Sequence, residues 1–271
     1  MGYFASALVA AVVIGAGSGL VGVLVVLRRR VFFAQALTHA TFPGAVVAAL
    51  VGFSVPLGAA LASVAIVGIM GLITRVKRQG GQVAAGIVLT TGFALGAILQ
   101  AVNPEVPLHL ESFLVGSILS VTTGDIVLST SVLVVAVAAI ALFGKELIFQ
   151  TFDPRGFTAA GYRAWPVELL ALALITATVV TAMPAVGAIL AIALIAAPAA
   201  AARLVAPSVG WMLVVSPLIG AASGVLGVLF SRLLDVAAGP AIALVAAAFF
   251  LVALLVRRMP RLGLREEVTA A

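Results

Sequence analysis

Residues 3–30 read YFASALVAAVVIGAGSGLVGVLVVLRRR. No charged side chain interrupts the run until it ends on three consecutive arginines. About 20 apolar residues cross the ~30 Å hydrocarbon layer as a helix, so this stretch is a first membrane span. It is not expected to be a secretory signal: it lacks a basic start, outlasts an h-region and closes on arginine.

The same reading extends outward. The chain of 271 residues is 64% hydrophobic and only 9% charged, against roughly 25% charged in a soluble domain. So little charge does not cover a globule of this size, and lipid is the solvent for most of the surface. The apolar runs are continuous, without the two-residue alternation of barrel strands. Helices are then the way to satisfy the backbone in lipid. The expected fold is an all-α polytopic membrane bundle in a single domain, residues 1–271. About nine spans are expected: 3–27, 31–50, 55–73, 83–102, 126–143, 166–182, 186–202, 211–230 and 241–256. A break at Met183-Pro184 separates the sixth from the seventh; a kink there instead would leave eight. Residues 110–119 are too few to cross and read as a re-entrant or interfacial helix.

Charge orients the bundle. With the N-terminus outside, every lysine and arginine except Arg232 falls on the inner side, from Arg28–Arg30 to Arg257 and Arg258. That is the positive-inside pattern, with a cytoplasmic C-terminus. It accounts for the net charge of +6 without nucleic acid. The absence of cysteine excludes disulfides and thiolate metal sites.

Residues 145–165, KELIFQTFDPRGFTAAGYRAW, form the longest inner connection. A short amphipathic helix is expected there, with Phe149, Phe152 and Phe157 on one side. It either lies on lipid headgroups or docks a cytoplasmic partner.

Ionisable groups at membrane depth cost at least about 2.5–3.5 kcal/mol on insertion scales and point to function. His39 lies roughly 12 Å into the second span. Gln35 is one turn before it on the same face. Thr38 and Thr41 add hydroxyls, and Pro43-Gly44 interrupts the helix. Such a patch lines a solute path; the alternative is an imidazole hydrogen-bonded to a neighbouring helix. One histidine is an incomplete metal site, since zinc takes about four ligands. Glu168 is expected to reach water at the inner end, and Asp235 to pair with Arg232 at i, i+3. His109, Glu105 and Glu111 fall in an outer loop. Gly220, Gly224 and Gly227 permit close helix packing, within the chain or in a dimer. No phosphate loop, HExxH or GxSxG motif occurs, so the chain is not expected to be an enzyme. An ATP-driven process would need a separate subunit.

Five segments, in order, resemble the membrane permeases of bacterial ABC importers for zinc, manganese and iron. RRVFFAQALTHATFPGAVVA (29–48) resembles R-R-x-x-x-x-G-D-x-L-x-H-A-x-x-P-G. VGSILSVTTGD (115–125) resembles F-G-D-L-L-A-V-x-x-x-D. FDPRGFTAAGY (152–162), AVGAILAIALIAAPAAAARL (185–204) and FSRLLDVAAGPAIALV (230–245) resemble the inner loop and two later segments. The resemblance implies a dimeric permease in the cell (inner) membrane, importing a divalent metal or a metal chelate. It implies a cytoplasmic ATPase subunit, which would hold ATP and magnesium, and an external solute-binding protein. His39 would be a metal ligand, with Gln35 where the family has a carboxylate. Asp153, Pro154 and Gly161 would touch the ATPase, and Thr38 and Asp235 are candidates for the pathway and outer gate. Ser117 also replaces an expected acid. A Gln amide donates oxygen but does not neutralise a dication. An ion-gradient-driven secondary transporter is the alternative, and would predict midplane charges that are scarce here.

Overall fold

A computed structural model describes residues 2–73, 81–105 and 114–258. The basic residues of 74–80 and 259–271, His109, Glu111 and the first half of 110–119 lie outside the described residues. The described chain is helical, without a strand. The helices are α1 Tyr3–Leu27, α2 Val31–Ala40, α3 Phe42–Leu50, α4 Val55–Ile73, α5 Gly81–Val102, α6 Thr123–Phe152, α7 Pro154–Ala159, α8 Ala164–Val186, α9 Ala188–Val205, α10 Val209–Leu234 and α11 Ala238–Arg258. Taking α2 and α3 as one, eight helices are long and apolar enough to cross a membrane, and Leu190–Val205 is a shorter apolar stretch. Leu61, Val64, Leu142 and Leu244 point outward, as lipid-facing residues do.

Small residues set the centre. α1 packs antiparallel on α10, with Gly15 against Gly220, Gly19 against Ser216 and Ala11 against Gly224. A Cβ on Gly220 would overlap the Gly15 carbonyl oxygen, and the reverse also holds. Ser216 donates its hydroxyl across the seam to the Gly19 carbonyl oxygen at 2.6 Å. The glycine run of α10 therefore packs within the chain, on α1 and, at Gly227, on Ile242 of α11.

The α1–α10 pairing also fixes the ends of the bundle. Arg232 lies over the ring of Phe4 at the start of α1, 4.4 Å from its centroid. Arg28 lies at the other end of α1, where α6 and α8 meet. α11 returns from the Arg232 end, so Tyr3 and Arg258 are at opposite ends. α9 also runs from one end to the other, giving nine end-to-end helical passes among the described residues when it is added to the eight. Trp165 and Trp211, both exposed, open α8 and α10 at the Arg28 end, where an aromatic belt belongs.

Three sequence expectations need correction. The break after the sixth span falls at Gly187, not at Met183-Pro184. Pro184 sits inside α8, and the chain turns where Gly187 takes φ +88°, a conformation costly for residues with a Cβ. Gly116, at φ +69°, meets this corner, and the Ser117 N–H donates to the Pro184 carbonyl at 3.1 Å. The 145–165 connection is shorter than expected, because α6 continues to Phe152. Phe149 and Phe152 therefore belong to α6, and only Phe157 lies on the short helix α7. The ion pair between Arg232 and Asp235 does not form. Arg232 turns to Phe4, and Asp235 caps α10 in the left-handed conformation at φ +53°.

At residues 122–125 a Thr122–Asp125 capping box starts α6. Asp125, quoted above for its resemblance, is thus the third helical residue of the box, accepting from the Thr122 N–H at 2.9 Å.

Candidate functional site

α2 is a helix with an apolar back and a polar front. Ala34, Ala36, Leu37, Thr38 and Ala40 are buried against the bundle. Gln35 and His39 are partly open, and Gln35 lines a cavity of about 550 Å³ that also reaches Arg29 and Gln82. Pro43, at the start of α3, has no N–H to return to the His39 carbonyl.

The Gln35 amide and the His39 Nε2 are 2.8 Å apart. Spaced i, i+4 on one helix, they face the same point. The imidazole is otherwise lightly held: the Phe93 ring of α5 stands edge-on at 5.8 Å, and Nδ1 is buried without a hydrogen-bond partner. Turned oxygen-inward, the amide sets an oxygen beside a ring nitrogen. Two donors each about 2.1 Å from an ion, at a right angle, stand about 3 Å apart. The observed spacing suits two neighbouring positions on one cation of that size. Among the described residues no group of three His, Cys, Asp or Glu converges.

Thr38 sits beside this pair, but its hydroxyl donates to the Gln35 carbonyl at 2.7 Å. It braces the backbone and presents nothing to the cavity. Asp235 is exposed at the far end of α10, apart from α2. Asp153, Pro154 and Gly161 do come together. Asp153 caps α7, accepting from the Gly156 N–H at 2.8 Å; Pro154 is its first residue; Gly161 ends it at φ +84°. Phe157 is buried, stacked on Tyr162 at 4.9 Å and edge-on to Phe149 at 5.4 Å. The segment is therefore a formed knob anchored by aromatics.

Sequence reasoning missed what joins this knob to α2. Gln150 donates to the Ala164 carbonyl at 2.9 Å, tying together the two sides of the knob. Its oxygen accepts from Arg28 at 2.9 Å. Arg28 also donates to Glu168 at 2.7 Å. Glu168 in turn pairs with Arg30, immediately before α2. Glu168 thus does not simply face water. Burial lowers the Arg28 pKa from its ordinary value, and the Glu168 charge acts the other way. A lone acid beside an arginine triplet was the available signal. Glu168→Ala leaves the largely buried Arg28 without its counter-charge. We expect a loss of about 2–3 kcal/mol, below the 3–5 typical of fully buried pairs because Glu168 is partly exposed. Glu168→Gln should cost less; thermal melting of the solubilised protein checks both.

Residues 1–257 match the family model described as the ABC 3 transport family. The chain belongs to that family. It is a multi-pass cell-membrane protein and a permease subunit. Among ABC 3 relatives, the chain is 31% identical over 253 residues to the manganese transport system membrane protein MntC of Listeria monocytogenes, covering 93% of this chain and 90% of the relative. It is 34% identical over 253 residues to the zinc transport system membrane protein TroC of Treponema pallidum, covering 89% and 85%. A chain of PsaBC from Streptococcus pneumoniae, solved in complex with Fab, superposes with a TM-score of 0.86 at 32% identity, covering 93% of this chain and 91% of that one.

Proposed function

We propose that this chain is the permease of an ATP-driven importer that carries a divalent transition metal, bare or as a chelate, through the α2 path. The observation that carries the reading is the Gln35–His39 donor pair, whose Gln35 lines a cavity. MntC and TroC, named for manganese and zinc, support it. His39 and Gln35 are the proposed ligands, Thr38 their brace and Asp235 a candidate at the outer gate.

The Arg28 end is read as cytoplasmic from its basic residues. There the knob of Asp153, Pro154 and Gly161 is the proposed contact for an ATPase subunit, which would hold ATP and magnesium. A second copy of the chain would complete the permease, and an external binding protein would deliver the cargo. ATP-driven closure of the ATPases then moves the knob, and the Gln150–Arg28–Glu168–Arg30 chain passes the movement to α2.

Elemental analysis of a deletion strain, with and without this chain and its ATPase, tests the function. Restored accumulation of zinc, manganese or iron is expected; no change in any metal would refute it. For the knob, Asp153→Ala removes a helix cap worth about 1 kcal/mol. Uptake should fall while ATP hydrolysis by the assembled complex continues. Normal uptake per ATP in that variant would count against docking there.

A further inference from the structure

Arg28, Arg29 and Arg30 line a cavity of about 720 Å³ together with Glu168. Three guanidiniums face one carboxylate. Glu168 is shared by Arg28 and Arg30, and among the described residues Arg29 has no ion pair. Arg29 is also exposed and held at φ +55°, so its side chain stands free of the helix packing. The cavity therefore carries an excess of positive charge at the level where headgroups begin.

It does not end there. Val67, Leu169 and Leu172 line this cavity and also a second one of about 330 Å³ between α4 and α8, which continues past Ala60, Val64 and Ala173. The walls of the second cavity are almost wholly apolar. From Leu169 to Ala177 it follows α8 for about 12 Å toward the membrane centre. One end is cationic and the other is a narrow apolar slot. A cationic mouth leading into an apolar slot matches an anionic headgroup with its acyl chain.

We propose that this site holds an anionic phospholipid, its phosphate on Arg29 and Arg30 and one acyl chain between α4 and α8. Basic pockets between membrane helices capture anionic headgroups by charge. Here the headgroup would rest on Arg30, which shares Glu168 with Arg28, so the lipid would sit beside the link between the knob and α2.

The test uses the full-length protein purified in detergent. Phosphatidylglycerol or phosphatidylcholine is added at equal mole fraction, and bound lipid is measured by native mass spectrometry alongside the melting temperature. One arginine acting on an anionic headgroup corresponds to about fivefold in affinity. Phosphatidylglycerol should be preferred by at least that factor and should raise the melting temperature. Arg29→Gln should remove about fivefold of the preference. Ala173→Trp, at an exposed position facing the slot, should lower occupancy while leaving the melting temperature in phosphatidylcholine unchanged. Equal binding of the two lipids would overturn the proposal, as would an Arg29→Gln variant indistinguishable from the parent. Equal stabilisation by inorganic phosphate would show an anion site without a lipid. Efficient cross-linking between copies through Ala173→Cys, clean because the chain has no cysteine, would assign the slot to a protein interface and overturn it too.

Discussion

Replacing His39 by alanine should reduce metal uptake to the level of cells lacking the chain, with the protein still inserted and paired with its ATPase. His39 supplies the nitrogen donor of the candidate site, and among the described residues no group of three His, Cys, Asp or Glu stands ready to replace it. Losing even a residue that only orients a ligand costs about 10–100-fold in metal affinity; losing the ligand itself costs at least that. The fold should survive, because the ring's hydrogen bond is to Gln35 on its own helix, its Nδ1 has no partner and Phe93 meets it edge-on. Gln35→Glu should act in the opposite sense. It keeps the oxygen and adds the charge that a bare dication requires, so binding of the free ion should tighten. Uptake assays with radioactive zinc or manganese read both variants. Undiminished uptake by His39→Ala would remove the imidazole from the route.

The largest effect on stability is expected from Gly220→Val. Its Cβ would overlap the Gly15 carbonyl oxygen, and backbone cannot swing aside as a side chain can. Over-packing costs typically 1–3 kcal/mol. At a backbone-to-backbone contact in the central α1–α10 seam we expect at least about 3 kcal/mol. The seam also carries the Ser216–Gly19 hydrogen bond, which any separation of the helices would break. Gly68→Val is the matched control. It makes the same exchange inside α4, where a Cβ would meet nothing within 4 Å. Melting of the two solubilised variants should diverge by many degrees. Equal melting would mean that the α1–α10 seam gives way more readily than its geometry implies.

Most of the fold was legible in the sequence because lipid imposes few solutions. Uncharged runs such as 3–27 have to be helices. What escaped depended on local conformation. Two adjacent breakers, Pro184 and Gly187, compete for one helix end. A proline is tolerated inside a helix by losing a single backbone bond, whereas the turn itself needs a positive φ, so the glycine won. Lys145–Phe152 looked like a loop because its charge and aromatics suggested an interface, yet nothing in it breaks a helix before the Asp153-Pro154 pair.

The site was legible in part for the same reason. Gln35 and His39 fall together by helical spacing alone. The Gln150–Arg28–Glu168–Arg30 chain ties Arg28 to residues 122 and 140 positions away, and no local pattern reports such a contact. Asp235 looked like the partner of Arg232 by spacing. A left-handed cap at the end of α10 turned the two apart.

X-ray absorption spectroscopy at the metal edge, on the assembled transporter trapped with its cargo, addresses the proposed ligand directly. The predicted spectrum contains imidazole scattering with a nitrogen near 2.0–2.1 Å for zinc, and that scattering disappears in His39→Ala. A spectrum without imidazole, or one identical in the two proteins, would place the metal elsewhere and contradict the route through α2.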